Sequence, residues 1–355
     1  MARAPRISTR PSERQTVMTT RRTFLKTAAV ATTALSPVAY IRSANAAPEF
    51  KLRFGSYQPP SHPVNIRAKE MAEKIRTESG GRVDFQVYPN SQLGSDTDML
   101  SQLRAGSIDF LALSPLTLGT LLPVVQISGI GFAFKDYAAV WAAMDGELGA
   151  HLRNEIGKTS LFAFERIWDN GYRQITTSSR PIATPDDLKG LKMRVPPAPI
   201  WTSMFKAFNA SPTTISMQDV YTSLQTKVVD GQENPLVLIE ASKIYEVQKF
   251  CSLTNHMWDG FWFLGNKAKF GKLPADLQQV VTRNVNEAAL KQRADTRKTN
   301  DALVDDLRGR GLKFNSVEQE AFRARLRTAG FYAEWHRRFG DEAWSLLEKF
   351  GGKIS

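Results

Sequence analysis

The sequence predicts an α/β layered fold, in which strands and helices alternate along the chain. Val83, Phe85 and Val87 alternate with polar residues, which is the two-residue period of a strand. Apolar residues recur at helical spacing between positions 64 and 75, and residues 108–113 form a nearly continuous apolar run. Such a run is typical of a strand in a parallel sheet that is covered on both faces.

The first part of the chain reads as a β-α-β-α-β succession. Ser95 is a typical helix N-cap, and Gly106 is a typical helix stop. The predicted elements before residue 120 are a strand at 52–55, a helix at 64–75, a strand at 83–88, a helix between Ser95 and Gly106 and a strand at 108–113.

A second unit is predicted to start near Gly171. No Gly-rich, Pro-rich or low-complexity linker separates it from the first, so we expect two packed lobes and not separate beads. The predicted elements are strands at 173–177 and 192–195, helices at 200–208 and 217–228, a strand at 261–264, a helix of about eight turns from Pro274 and a helical stretch over 317–349.

Length and composition describe an ordinary globular protein. The chain has 355 residues, of which 42% are hydrophobic and 23% charged, and a length of this order suggests about two domains. These fractions exclude disorder, a collagen-like fibre and a disulfide scaffold. Cys251 is the one cysteine and follows Phe250, which favours a buried thiol over a nucleophile. The net charge of +12 raises nucleic acid or an anionic membrane as partners.

Residues 1–46 account for most of that charge and have the order of a secretory signal. They hold eight basic residues and one acidic residue, and Arg21-Arg22 precedes an apolar run over 27–40 and the cleavage-type sequence Ala44-Asn45-Ala46. Paired arginines followed by x-Phe-Leu-Lys are typical of twin-arginine export in bacteria. The alternative to a signal peptide is a disordered basic tail. The start of translation is either Met1 or Met18. We expect a periplasmic protein that begins near Ala47, with too little excess charge to bind nucleic acid.

The sequence contains no complete motif typical of an enzyme, a metal site or a cofactor site. The four histidines are far apart, with no H-E-x-x-H and no cysteine pair, so no metal site is expected. Gly157-Lys158-Thr159 lacks the first glycine of a phosphate-binding loop, and no G-x-S-x-G motif is present. We therefore predict that the protein is not an enzyme and uses no cofactor.

Two arginines stand in apolar context. Arg194 ends a predicted strand before two prolines, and Arg173 begins another strand after an aromatic and polar cluster. A guanidinium at a strand end is suited to a bidentate grip on a carboxylate. The alternative is that either arginine pairs with an internal acid such as Glu233 or Asp259, and spacing alone leaves both possibilities open.

Several motifs in order resemble one family, the extracytoplasmic solute-binding proteins of the TRAP transporters, or DctP family. The resemblance covers about residues 50–340. It rests on Gly171-Tyr172-Arg173-Gln174, the run from Asp187 to Pro196, Asp230-Gly231-Gln232-Glu233-Asn234-Pro235, Tyr245 to Lys249, Leu253 to His256 and Tyr88 to Gly94.

The resemblance implies a two-lobe periplasmic binding protein fold, with strands that cross between the lobes and a long helix that spans both. On this basis we expect a twin-arginine-type signal peptide at 1–46. Residues 47–170 with about 260–300 would form lobe I, and residues 171–259 with about 301–355 would form lobe II.

The resemblance also implies a ligand site. Arg194 corresponds to the family's arginine before Val-Pro and is expected to bind the ligand carboxylate, with Arg173 as a second basic contact and Asn234 as a polar one. Candidates for the pocket wall are Trp168, Asn170, Trp258 and Asp259, although core packing is an equal alternative for the two tryptophans. Candidates for the far end of the ligand are Gln58, His62 and Ser114.

The expected function is capture of an organic acid anion, either a sugar acid or uronate or a C4-dicarboxylate, and its delivery to the membrane subunits of a TRAP transporter. Polar far-end candidates favour a hydroxylated acid. A monomer is expected. The alternative is a periplasmic enzyme that acts on a carboxylate, with Arg194 as a clamp and Glu165, Glu233 or His256 as a base.

Overall fold

The computed structural model describes residues 47–354, and the predicted signal peptide at 1–46 lies outside them. The strands are β1 Phe50–Gly55, β2 Val83–Tyr88, β3 Phe110–Leu113, β4 Leu161–Ala163, β5 Trp168–Thr177, β6 Lys192–Val195, β7 Ser211–Thr214, β8 Gly231–Pro235, β9 Phe250–Leu253, β10 Trp258–Asn266 and β11 Lys313–Ser316.

Helices alternate with these strands, which confirms the predicted α/β class. The helices are α1 Pro63–Glu78, α2 Asp96–Ala105, α3 Pro115–Leu118, α4 Tyr137–Met144, α5 Glu147–Gly157, α6 Pro199–Ala207, α7 Val220–Gln225, α8 Leu236–Ala241, α9 Lys267–Phe270, α10 Ala275–Gly309, α11 Gln319–Thr328, α12 Phe331–Phe339 and α13 Asp341–Gly351. Short 3₁₀ turns occupy Pro123–Gly129, Pro185–Leu188, Met217–Asp219 and Ile244–Glu246.

Two long strands connect the two halves of the sheet, whose order along its main path is β2-β1-β3-β10-β5-β8-β6-β7. The end of β10 pairs with β3 and β4, while its beginning pairs antiparallel with the beginning of β5. The end of β5 pairs with β8 and β9. Elements around β1–β4 are called the first lobe below, and elements around β6–β9 and β11 the second lobe. The predicted crossing strands are confirmed.

A β-bulge interrupts the pairing of the crossing strands at their centre. Asp259 is opposite Gly171 and Gly260 is opposite Asp169, which leaves Asn170 as the extra residue on β5. Gly171 has φ +112, and a Cβ atom there would lie 2.6 Å from the Asn300 side-chain nitrogen, so both backbone and space require glycine. Bulges of this kind redirect side chains next to binding sites.

The long helix α10 extends over 35 residues, about ten turns at 3.6 residues per turn. Gln292 of α10 accepts a hydrogen bond from the Asp169 backbone nitrogen at 2.7 Å and donates one to the Asp169 backbone oxygen at 2.6 Å. Asn300 accepts a bond from the Val237 backbone nitrogen at 3.0 Å. The helix is therefore bonded both to a crossing strand and to the second lobe.

The buried apolar residues form two clusters. The larger one covers the first lobe and extends over β6, α6 and the C-terminal helices. The smaller one lies in the second lobe and includes Leu224, Ile239, Leu307 and Cys251. The predicted burial of Cys251 is confirmed, and desolvation raises the pKa of its thiol.

Two predicted elements differ in extent from the observed ones. The helix expected at 217–228 is a 3₁₀ turn followed by the six-residue α7, and Lys227 beyond it has φ +60. The stretch at 317–349 is three helices, separated where Gly330 and Gly340 adopt positive φ.

The division of the chain into lobe I and lobe II at the residues given above stays a prediction. Within residues 47–354, no helix has both the length and the apolar character needed to cross a bilayer.

Candidate functional site

A small cavity lies where the crossing strands meet the two lobes. Its volume is about 10 Å³, room for about one water molecule, so the side chains of the wall nearly fill it. Its lining residues are Tyr57, Asp96, Ser114, Leu116 and Thr117 from the first lobe, Arg194, Pro196, Met217 and Asn234 from the second lobe, and Arg173 and Asp259 from the crossing strands. The cavity thus brings together five of the ten predicted site residues.

Arg194 is a buried cation with no ionic partner among residues 47–354. It is 2% exposed, and its Nε donates a hydrogen bond to the Ile215 backbone oxygen at 2.7 Å. Burial lowers the pKa of Arg194 to about 10, so the side chain is charged at neutral pH. A buried charge without a counter-ion is costly, and an anion in the cavity would relieve that cost.

Arg173, in contrast, is fully engaged by internal acids. Its Nε and Nη2 donate to the Glu233 carboxylate at 2.5 and 2.8 Å, and its Nη1 donates to Asp259 Oδ2 at 2.8 Å. Burial alone would lower the pKa of Arg173, but the two carboxylates outweigh it and raise the pKa above its ordinary value. The alternative of internal pairing therefore holds for Arg173 and not for Arg194. A direct contact between Arg173 and a ligand stays a prediction.

The three acids and bases considered for catalysis lie outside the cavity wall. Glu233 Oε2 lies 3.1 Å from His256 Nε2, and burial of Glu233 is outweighed by Arg173 and His256, which lower its pKa to about 2. Burial lowers the pKa of His256. Glu165 is exposed and pairs with Arg166. Their places favour a structural network over general-base catalysis.

Asp259 is the centre of the hydrogen bonds at the crossing point. Its carboxylate accepts bonds from Ser114 Oγ at 2.8 Å, Asn170 Nδ2 at 3.0 Å and Arg173 Nη1 at 2.8 Å. The bulge on β5 is what turns Asn170 toward Asp259. The structure thus brings Ser114, Asn170 and Asp259 together from separate segments, although Asn170 supports the wall and does not line it. Contact of these residues with a ligand stays a prediction.

Both predicted tryptophans pack in the core and not on the cavity wall. Trp168 lies against Phe263, with ring centroids 5.4 Å apart. Trp258 lies edge-on to Trp141, and its Nε1 donates to Asp169 Oδ1 at 2.8 Å. Core packing, the alternative considered for both residues, describes their observed places.

Gln58 and His62 are buried in the loop between β1 and α1, outside the cavity lining. Gln58 Oε1 accepts a bond from Ser56 Oγ at 2.8 Å. His62 Nδ1 accepts a bond from the Val64 backbone nitrogen at 3.2 Å and so caps α1, while its ring lies edge-on to Phe261. Burial lowers the pKa of His62 to about 3, so the neutral ring carries its proton on Nε2.

His62 is expected to make the fold sensitive to acid. The unfolded chain binds a proton at this histidine below about pH 6.5, whereas the native state does not until about pH 3. The free energy of unfolding should therefore fall by about 2 kcal/mol from this group between about pH 7 and pH 5. His62→Asn keeps a capping side chain and should remove this part of the loss in denaturant unfolding. Comparison of the two proteins at about pH 8 isolates packing effects, and an equal loss in both would contradict the assignment.

Tyr57, Asp96, Thr117 and Met217 line the cavity but were not predicted from the sequence. Tyr57 comes directly after β1, and ligands of open α/β sheets bind beyond the carboxyl ends of strands, so its position was a usable signal. Asp96 is the first residue of α2 and looked like an ordinary acid in a helix first turn. It is 3% exposed, and Oδ2 accepts a bond from Thr117 Oγ1 at 3.1 Å.

A wider cleft of about 440 Å³ lies outside the cavity and has walls from both lobes. Pro59 and Asn90 belong to its first-lobe wall, and Tyr221 belongs to its second-lobe wall. Tyr57 and Met217 line both spaces, so they separate the inner cavity from the cleft. In the same described part of the chain, no cluster of His, Cys, Asp or Glu is arranged to hold a metal ion.

Comparison with known proteins connects this architecture to one family. The model of the bacterial extracellular solute-binding proteins, family 7 (DctP), matches residues 54–334. The chain is 32% identical over 272 residues to the 2,3-diketo-L-gulonate-binding periplasmic protein YiaO of Escherichia coli K12, covering 76% of this chain and 83% of YiaO. It is 33% identical over 303 residues to the uncharacterized protein y4mM of Sinorhizobium fredii, covering 85% of this chain and 56% of that longer protein.

Solved structures show the same fold. The sugar acid binding protein DctPAm of Advenella mimigardefordensis, in complex with galactonate, has a TM-score of 0.83 and 27% identity, covering 87% of this chain and 100% of DctPAm. A TRAP periplasmic solute binding protein of Sulfurospirillum deleyianum with bound succinate has a TM-score of 0.80 and 26% identity, covering 86% of this chain and 99% of that one. The chain therefore belongs to the DctP family of extracytoplasmic solute-binding proteins, the two-lobe receptors of TRAP transporters.

Proposed function

We propose that this protein captures a small organic acid anion in the cavity between its lobes and delivers it to the membrane subunits of a TRAP transporter. The observation that carries the proposal is Arg194, a buried cation of the cavity wall with no ionic partner among the described residues. A carboxylate beside it would gain charged hydrogen bonds worth about 1.5–3 kcal/mol net. Relatives with the same fold hold galactonate or succinate.

Closure of the lobes follows from the composition of the wall. Ser114 and Asp96 belong to the first lobe, while Arg194 and Asn234 belong to the second. A ligand that touches both sets binds the closed form better than the open one, which is the condition for driving closure. The bulged crossing strands at Asn170 and Gly171 are the elements that join the lobes, and so they take up the motion.

The enzymatic alternative has less support. The family is one of transport receptors, and the candidate bases Glu165, Glu233 and His256 all lie off the cavity wall. Glu233 is in addition held as a carboxylate by Arg173.

We further propose that the protein acts as a monomer in the periplasm after twin-arginine export directed by residues 1–46. The supporting feature is the Arg21-Arg22 motif with its apolar run and Ala44-Asn45-Ala46. Cell fractionation, N-terminal sequencing and sedimentation of the exported protein check this. A cytoplasmic protein with an intact N-terminus, or a stable dimer, would contradict it.

A thermal-shift screen of organic acids tests the receptor function. An acid present at 100 times its dissociation constant should stabilise the native state by about 2.7 kcal/mol and raise the melting temperature by a few degrees. Galactitol and succinamide, the uncharged counterparts of galactonate and succinate, should give no shift. The bound acid should be recovered unchanged by mass spectrometry. Turnover of the acid, or the absence of a shift with every acid, would overturn the proposal.

A further inference from the structure

We infer that the cavity has two opposite poles and selects acids with one carboxylate and hydroxyl groups further along the chain, and that Asp96 is the residue that rejects a second carboxylate. This inference rests on the proposed function and specifies the class of ligand. It follows from how the charges of the wall are paired.

The positive pole can neutralise one carboxylate. Of the two cavity arginines, Arg173 is neutralised by Glu233 and Asp259, with the three side chains connected by hydrogen bonds of 2.5 to 2.8 Å. Arg194 has no such partner among residues 47–354 and uses only its Nε, toward the Ile215 backbone oxygen. The wall therefore offers a single cation that a ligand can neutralise.

The negative pole is Asp96. This buried carboxylate accepts one bond from Thr117 Oγ1 at 3.1 Å and one from the Thr97 backbone nitrogen at 3.1 Å, and no cation in the described chain forms an ion pair with it. Its place at the start of the ten-residue α2 stabilises the negative charge. Asp96 is thus a charged acceptor of the cavity wall that contacts no cation, and its charge is close enough to Arg194 to raise the pKa of that guanidinium.

The hydroxyl groups of the wall point to the same class of ligand. Thr117 donates its proton to Asp96, and Ser114 donates its proton to Asp259. Each hydroxyl has one proton, so both present only oxygen lone pairs to the cavity. Beside these two oxygens and Asp96, a ligand must supply hydrogen-bond donors, which hydroxyl groups do. The Tyr57 hydroxyl, also on the wall, can donate to an acceptor of the ligand. A second carboxylate supplies no proton and would place a negative charge beside Asp96 in a site of low dielectric constant.

An amino acid would also supply donors, through its ammonium group. That ammonium is attached to the carbon next to the carboxylate, so it would lie close to Arg194 when the carboxylate binds there. A hydroxyl group carries no such repulsion. The wall therefore favours hydroxyl groups over an ammonium group.

Matched acids that differ only at the far end test the inference. Galactonate ends in CH₂OH where galactarate ends in a second carboxylate. Erythronate and meso-tartrate differ in the same way and have a shorter carbon chain. In at least one of the two pairs, the acid that ends in CH₂OH should bind at least about 100-fold more tightly than the dicarboxylate. Titration calorimetry measures both affinities. Threonine should bind at least that much more weakly than erythronate.

Asp96→Asn tests the residue itself. It keeps the size of the side chain and removes the charge, so the preference for the CH₂OH member should fall at least about 10-fold. Asp276→Asn is the matched control, since Asp276 is also an acid in a helix first turn but lies at the exposed start of α10. It should leave the preference unchanged.

Failure of the inference is distinct from failure of the receptor function. Tighter binding of the dicarboxylates or of threonine, or an unchanged preference in Asp96→Asn, overturns the inference while the protein remains a receptor. The inference is also overturned if the protein binds neither pair while another acid in the screen raises its melting temperature. Absence of any acid ligand overturns the receptor function itself.

Discussion

Arg194→Ala is expected to abolish binding of the acid ligand while the protein stays folded. The substitution removes the one cavity cation without an internal partner, and with it the charged hydrogen bonds to the carboxylate. Two such bonds at about 1.5–3 kcal/mol each correspond to a loss of at least about 100-fold in affinity. Titration calorimetry measures the affinity, and circular dichroism measures the fold.

The fold should survive because no buried acid depends on Arg194 among the described residues. Truncation gives up the single bond to the Ile215 backbone oxygen and removes a charge that was costly to bury. Lys192→Ala is a matched control, since Lys192 lies on the same strand β6 and is exposed. The control should bind normally. Near-normal affinity in Arg194→Ala would refute the role of Arg194.

Arg173→Met is expected to have the largest effect on stability. It leaves the Glu233 and Asp259 carboxylates buried without their cation, and breaking a buried ion pair in this way costs about 3–5 kcal/mol. Guanidinium unfolding measures the loss. Arg67→Met is a control of the same chemistry at the surface, where the bonds from Arg67 to Asp295 should be worth only about 0–1 kcal/mol.

The pH dependence of this loss has a definite sign. In the wild type, Arg173 and His256 lower the pKa of Glu233 to about 2 from an ordinary 4.5, so the stability this group contributes is lost only as the pH falls through that interval. In Arg173→Met, the two carboxylates should take up protons at a higher pH than in the wild type. Protonation removes the cost of burying them as charged groups. The difference in stability should therefore shrink as the pH is lowered from about 7 to 4. A difference that is constant with pH, or below about 1 kcal/mol, would show that the pair is not what stabilises the crossing point.

Local signals predicted the elements whose ends are set by nearby residues. The helix α2 begins after Ser95, which forms a capping box with Asp98, and ends at Gly106 with φ +72, both within one turn of the helix. The crossing strand β5 was predicted only from residue 173, because the polar residues Asp169 and Asn170 interrupt the apolar pattern of a buried strand. Their burial is possible because Gln292 and Asp259, more than 80 positions away, satisfy their hydrogen bonds.

The sequence by itself determined the α/β class and the family, and it singled out Arg194 as a candidate ligand contact. These depend on periodicity, on caps and on motifs that are contiguous in the chain. Only the tertiary structure decided which arginine is free for a ligand, because the acids that neutralise Arg173 lie 60 and 86 positions away from it. It also decided that Asp96 belongs to the site, since burial and the bond to Thr117, 21 positions away, make a helix-terminal acid part of the cavity wall. The charge balance of a buried site depends on which residues the fold brings close together, and the order of residues along the chain does not show this.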